Sequence, residues 1–213
     1  MKANTIITIS RQYGSQGREV GQELANRLGI PYYDRDLITL AAKESGFSEE
    51  LFDQLDRRAT NSFLYSLTMF GSAGINGLSL TDQLYVTQRN IIRDLAAKGS
   101  CVFVGRCADY ILRKEPEIYN FFIKAPMEKR LEHAKDDPKV PEATKETLEK
   151  LDKQRSAYYN FYTGQIWGNA ANYDMCLDSG VLGVSKVVDM ILEYIDIAQK
   201  ESVQTYRSPP AIG

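Results

Sequence analysis

Five arginines hold positions that could do chemistry: Arg11, Arg18, Arg106, Arg130 and Arg155. A guanidinium offers a planar fork of donors that matches the oxygens of a phosphoryl group. Arg11 and Arg18 lie in the segment Ser10-Arg11-Gln12-Tyr13-Gly14-Ser15-Gln16-Gly17-Arg18-Glu19. It leads from TIITIS, a β-branched, apolar run, into a helical pattern of Val20, Leu24, Ala25 and Leu28. A strand, a glycine-bearing loop and a helix are the physical parts of a phosphate-binding loop, in which backbone N–H groups and the helix N-terminus receive an anion. The match to GxxxxGK[ST] is degenerate. Gln12 takes the first glycine place, Gly17 the second, Arg18 the lysine place and Glu19 the hydroxyl place. Glu19 cannot act as a hydroxyl ligand for Mg²⁺, and an ordinary strand-to-helix turn with a basic helix start is the competing reading.

Taken alone, each arginine is more often the partner of a surface ion pair. Arg106 differs, because it directly follows an apolar run and a glycine. Asp34, at the end of IPYYD, reads as a contact to a substrate or to metal-bound water, or as a helix N-cap. Asp109 has the same ambiguity. Asp152 and Arg155 are spaced i, i+3, so an intrahelical ion pair competes with any role in a site. His133, the only histidine, is expected to be a solvated or lightly paired group, and no Ser-His-Asp set can be assembled around it. Tyr158, Tyr159, Phe161, Tyr162 and Trp167 form an aromatic cluster that could stack on a base or pack a helix onto the domain.

The elements that must position these residues alternate. Residues 5–10, 30–34, 101–105, 118–125 and 173–179 read as short apolar strands. Helices are expected after Gly17, over 36–45, from Ser48, from Thr81 to Lys98, from Pro126, from Pro141 to about Tyr162, and over about 184–200. Segment 60–80 carries three glycines among large apolar residues; it is too long and too apolar for a plain linker, and would fold over a substrate or form a homodimer contact. Alternating strands and helices predict an α/β fold with a parallel sheet covered on both faces. In such sheets ligands bind beyond the carboxyl ends of the strands.

Composition narrows the class. The chain has 213 residues, with 26 Lys and Arg against 28 Asp and Glu, a net charge of −2 and a pI of about 5.6. That balance argues against a nucleic-acid partner. No apolar run reaches the roughly 20 residues of a membrane span, and MKANTIITIS lacks the apolar core and cleavage site of a secretory signal. The three cysteines include no CxxC pair and suggest no metal site. Cys101 and Cys176 sit in apolar runs and are expected in the core, which makes a reduced, cytoplasmic setting the simplest expectation.

A wider set of segments carries a resemblance. ITISRQYGSQGREVG (7–21), IPYYDRDLI (30–38), LAAKGSCVFVGRCADYIL (95–112), the helix with Arg130, LDKQRSAYYNFYTGQIWG (151–168) and NYDMCLDS (172–179) resemble, in order and spacing, the cytidylate kinase-like family of P-loop kinases. The resemblance implies a three-layer P-loop kinase fold: a five-stranded parallel sheet, helices on both faces and a helical lid. It implies one domain over 1–200, with an acceptor-side helical insertion at about 46–98, a lid at about 140–168 and a flexible tail at 201–213. It implies ATP with Mg²⁺, bound by Arg11 through Glu19, and a nucleoside monophosphate acceptor, CMP or dCMP first, near Asp34, Arg106 and Asp109. Arg18, Arg130 and Arg155 would reach the transferring phosphate. The chain departs from classical cytidylate kinases at Arg18 and Glu19, at Cys107 where an aspartate is usual, and at Leu40 where an arginine is expected. Two alternatives therefore stay open: a P-loop kinase for another small metabolite, and a nucleotide-binding regulatory module without turnover.

Overall fold

Five short strands pair in a parallel sheet of order β2-β3-β1-β4-β5. The computed structural model describes residues 1–34, 80–138, 140 and 142–200. The elements expected at 36–45 and from Ser48, segment 60–80, Leu40, Pro141 and the tail lie outside these residues.

The strands are β1 (Ile6–Arg11), β2 (Tyr32–Tyr33), β3 (Cys101–Val104), β4 (Ile118–Lys124) and β5 (Met175–Asp178). The helices are α1 (Gly17–Leu28), α2 (Leu80–Ala96), α3 (Ala108–Ile111), α4 (Met127–Ala134), α5 (Lys145–Thr163) and α6 (Ser179–Lys200). Successive side chains of a strand point to opposite faces, and the three central strands obey this rule. Ile7, Ile9, Val102, Val104, Tyr119, Phe121 and Ile123 join Val20 and Leu24 of α1 and Val187, Val188 and Ile191 of α6 in one core. Ile6, Cys101, Phe103 and Ile118 join Leu84, Ile91 and Ile92 of α2 and Tyr159 of α5 in the other. Both faces of β1 and β3 are covered, which is why these strands are almost continuously apolar.

The structure revises four sequence expectations. Cys176 is exposed, because β5 is an edge strand and this position faces away from the core. The helix expected from Pro141 begins at Lys145, capped by Thr144, whose Oγ1 accepts from Thr147 N at 3.1 Å. The last helix starts directly after β5 at Ser179 and breaks at Gly183, so 184–200 is only its second part. The four-residue α3 was not foreseen, because nothing in Cys107-Ala108-Asp109 is a conventional helix start.

β1 lies between β3 and β4, so the order reverses on either side of it. A crevice at such a switch point is where open parallel sheets bind ligands. Gln12 to Gly17, Asp34 and Gly105 to Cys107 all follow the carboxyl ends of strands around this point.

Candidate functional site: two strand-to-helix turns

The loop after β1 turns its carbonyls into the protein. Gln12 O accepts from Ser15 Oγ at 2.9 Å, Tyr13 O from Arg130 Nε at 2.7 Å, and Ser15 O from Ser179 Oγ at 2.6 Å. Gly14 O faces His133 Nδ1 at 3.0 Å; a carbonyl only accepts, so this nitrogen carries the proton. His133 is thus a loop-holding residue and not a merely solvated one.

The amides behave differently. Those of Gln12 and Ser15 bond Ile123 O and Gln12 O, and that of Tyr13 donates to Asp152 Oδ1 at 2.7 Å. The N–H groups of Gly14, Gln16, Gly17 and Glu19 have no backbone acceptor among the described residues. Gln16 sits in the left-handed region at φ 54° and gives α1 no side-chain cap, which leaves the helix N-terminus open to an anion. Gly14 is required by geometry. Its φ is 74°, and a Cβ there would lie 2.4 Å from Arg130 O.

Arg130 and Asp152 clamp this loop. Arg130 is 4% exposed; besides Tyr13 O it pairs with Asp152 through Nη2. Burial pushes the Asp152 carboxyl up, opposed by Tyr13 N, Arg130 and Arg155. Arg155, three residues along α5, donates from Nη1 to Arg11 O at 3.0 Å and holds Cζ 4.7 Å from the Tyr13 ring centre. So α5 touches the loop twice, through Asp152 and through Arg155.

The turn after β3 is built on strained backbone. Gly105, Arg106 and Cys107 have φ of 80°, 60° and 56°. A left-handed conformation costs a residue with a Cβ roughly 1–2 kcal/mol, and such outliers gather at functional sites. Gly105 also admits the Arg11 guanidinium, since a Cβ there would lie 2.2 Å from Nη1. Arg106 places Cζ 6.0 Å from the Tyr158 ring centre and Nη1 3.5 Å from Gln88 Oε1. Tyr158 hydroxyl donates to the same Gln88 oxygen at 3.1 Å.

The guanidinium groups of Arg11, Arg106 and Arg155 thus lie near one another, with the Asp34 carboxylate also within reach of Arg11. Burial, then the nearby Arg155 and Arg106, push the Arg11 guanidinium down to about 9, with Tyr32 and Asp34 pulling the other way. Guanidinium groups hold their protons in ordinary conditions, so the shift reflects burial first and the neighbouring cations second. Arg18, on the first turn of α1, pairs with the buried carboxylate of Asp34, and Tyr32 hydroxyl donates to that carboxylate at 3.3 Å. Glu19 is exposed. No group of three or more His, Cys, Asp or Glu that could hold a metal occurs among the described residues.

Asp109 is buried, as Asp34 is, at 6% exposure. Its Oδ2 is 2.6 Å from Tyr159 hydroxyl, which is also 2.9 Å from Gln165 Oε1. One hydroxyl proton cannot serve two acceptors. A Gln165 amide turned to present its nitrogen satisfies both, since the hydroxyl then donates to Asp109 and accepts from Gln165. Burial pushes Asp109 up to about 6, partly opposed by Tyr159 and by backbone N–H groups. The aromatic cluster ties α5 to the domain: Tyr85 and Tyr162 stack at 4.0 Å, and Trp167 meets Phe122 edge-on at 5.2 Å.

The structure brings together Arg11, Arg18, Asp34, Arg106 and Arg155 with the loop from Gln12 to Glu19. It places Arg130 behind the loop and Asp109 beneath α5. Sequence reasoning missed Gln88, His133 and Ser179. Gln88 had a visible signal, a polar residue inside the apolar stripe of Leu84, Ile91 and Ile92.

Residues 6–181 match the model of the cytidylate kinase-like family. A cytidylate kinase from Methanosarcina barkeri (strain Fusaro / DSM 804) is 25% identical over 193 residues, covering 89% of this chain and 96% of the relative. Among solved structures, an uncharacterized protein from Eubacterium ventriosum ATCC 27560 superposes with a TM-score of 0.67 at 29% identity, covering 90% of this chain and 98% of that one. A gluconokinase from Sinorhizobium meliloti 1021 superposes with a TM-score of 0.52 at 14% identity, covering 95% and 98%. The last likeness shows the fold, that of a P-loop kinase.

Proposed function

This chain belongs to the cytidylate kinase-like family, and we propose that it transfers the γ-phosphoryl group of ATP to a nucleoside monophosphate, with CMP or dCMP the first candidates. Family and fold support kinase activity toward a nucleotide or small metabolite. The observation that carries the finer reading is the pair of turns around β1. One presents open amides at the N-terminus of α1, and the other presents Arg106 across from it on strained backbone.

ATP phosphates fit the amides of Gly14, Gln16, Gly17 and Glu19, with Arg18 as the charge. Arg18 would exchange Asp34 for phosphate oxygens, which releases Asp34 toward the acceptor. An oxygen of the acceptor phosphate attacks the γ-phosphorus, and the bond to the β,γ-bridging oxygen breaks to give ADP. Such a nucleophile needs no general base, which suits a site whose one histidine holds the loop. Arg11, Arg106 and Arg155 would neutralise charge on the equatorial oxygens. Mg²⁺, carried mainly by ATP phosphates, would supply further neutralisation; that mode needs few protein ligands. Arg130 acts at one remove, holding Tyr13 and Asp152. Residues 140–168, chiefly α5, would be the lid that admits nucleotides and excludes water.

Incubation with Mg-ATP and each of CMP, dCMP, UMP, AMP and GMP tests the reading through ADP release. Acceptor-dependent release is expected for at least one pyrimidine nucleotide. Stabilisation by ATP without release for any of the five would overturn it. Arg18→Ala is expected to abolish ATP-induced stabilisation, whereas Arg106→Ala weakens the acceptor and leaves ATP binding intact.

A further inference from the structure

Tyr13 is a large aromatic residue in a loop whose neighbours are Gln12, Gly14, Ser15, Gln16 and Gly17. Its amide, carbonyl, hydroxyl and ring all meet α4, α5 or the segment between them. The amide donates to Asp152 Oδ1 at 2.7 Å, and the carbonyl accepts from Arg130 Nε at 2.7 Å. The hydroxyl donates to Asp137 Oδ2 at 2.6 Å. Burial, and then Asp137, push that hydroxyl well above the usual phenol range, so it keeps its proton and this bond near neutral pH. The ring packs against a small core of Ala134, Val140 and Leu148, distinct from the two cores on the sheet. A tyrosine side chain has only two torsions to fix, and the packing and the hydroxyl bond fix both.

The Arg155 guanidinium lies over this ring, with Cζ 4.7 Å from its centre, and donates from Nη1 to Arg11 O at 3.0 Å. An arginine side chain is long, and holding it in one geometry costs rotamer freedom. A rigid ring beneath it meets part of that cost, because a weakly hydrated guanidinium stacks readily on an aromatic face. Stacking engages the flat face of the group, whereas its hydrogen bonds lie in its plane, so the platform consumes no donor. We propose that Tyr13 is a positioning residue whose ring presents the Arg155 guanidinium to the transferring phosphoryl group. Tyr13 then acts on the transfer step through Arg155, while ATP affinity stays with the loop amides and Arg18. The inference rests on the reading above that Arg155 serves the transferring phosphate. Asp152, three residues before Arg155 on α5, holds the Tyr13 amide, so one helix grips this residue by its backbone and by its ring.

Single-turnover transfer from ATP in the full chain tests this, with whichever of the five nucleotides gives the fastest ADP release. Calorimetry reads the Kd for ATP, and thermal unfolding reads the fold. Tyr13→Leu keeps an apolar body for the core at Ala134, Val140 and Leu148 and removes the ring and the hydroxyl; Tyr13→Phe removes the hydroxyl alone. Tyr13→Met, a longer apolar side chain without a ring, takes the place of Tyr13→Leu if that variant does not fold. The expected result is a transfer rate about tenfold lower in Tyr13→Leu, the size of a partly desolvated cation–π contact expressed as a rate, with the Kd for ATP within about twofold. Tyr13→Phe should restore the rate to within about threefold of the unaltered chain. Added to Arg155→Ala, Tyr13→Leu should cost less than about twofold more, because the platform then has nothing to carry. A tenfold loss that persists in the Arg155→Ala background overturns the proposal, as does a loss shared by Tyr13→Phe or one matched by an equal rise in the Kd for ATP. If Arg155→Ala slows transfer and Tyr13→Leu does not, the platform alone falls. If Arg155→Ala leaves transfer unchanged, the role of Arg155 falls and the platform with it. A chain that releases no ADP with any of the five nucleotides loses the proposed reaction, and the platform falls with that reading.

Discussion

The turns after β1 and β3 look alike and are built in opposite ways. Both leave a central strand and pass through a glycine in the left-handed region. Both enter a helix through a left-handed residue without a side-chain cap, Gln16 in one and Cys107 in the other. The β1 turn is held in shape without a ligand. Four successive carbonyls meet donors from Ser15, Arg130, His133 and Ser179, and a buried ion pair locks the assembly. The β3 turn is held less tightly: its backbone is strained, and Arg106 reaches Gln88 Oε1 at 3.5 Å, while Gln88 Nε2 has no acceptor among the described residues. A turn that holds the same anion in every cycle gains from being rigid beforehand. On the function proposed above, the β3 turn would distinguish and release an acceptor, which suits bonding that a ligand completes.

Cutting the lock should show the largest effect. Asp152→Ala leaves the Arg130 guanidinium buried and unpaired, at a cost of about 3–5 kcal/mol. Chemical denaturation is expected to show it, together with weaker ATP binding; a loss below about 1 kcal/mol would mean that the loop does not depend on α5. Asp109 tests the other turn by pH. Its folded value, about 6, lies above the unfolded 3.8. Stability from this group is therefore fully present below about pH 4 and is lost as pH rises through 6, by roughly 3 kcal/mol. Asp109→Asn is expected to flatten that slope between pH 4 and 6; an unaltered slope would place the titration elsewhere.

Gly14→Ala meets both a positive φ and the Arg130 carbonyl, and a loss of about 2–3 kcal/mol is expected. ATP-induced stabilisation should vanish with it, and a variant that still responds fully to ATP would contradict the rigid-loop account. Arg106→Gly should be the smallest change in stability and the most telling. Glycine relieves the left-handed strain, so stability should rise by about 1 kcal/mol while acceptor-dependent ADP release collapses. A fall in stability, or turnover that survives, would show that the strain has no catalytic purpose.

Much of the frame was legible in the residues alone. The five apolar runs, the helix ending at Gly29 and the loop between Ile9 and Val20 follow from local rules, because burial on both faces and the need for stop signals act over a few residues. Helix boundaries near Thr144 and Gly183 were less legible, since a threonine cap competes with a proline and one glycine breaks an otherwise apolar helix. Cys176 was misread because an apolar run looks the same on an edge strand as on a central one.

Local chemistry determined that this chain would alternate strand and helix and that a glycine-bearing loop would lead from the first strand into a helix. Only the tertiary structure decided which residues hold that loop and which stand at the crevice beside it. Arg130 and Arg106 are indistinguishable by type, yet one is buried against Asp152 and the other stands on a strained turn beside Gln88. Sequence spacing records distance along the chain, whereas the roles of these groups depend on partners 22, 117 and 18 residues away, which meet only when the sheet and α5 are in place.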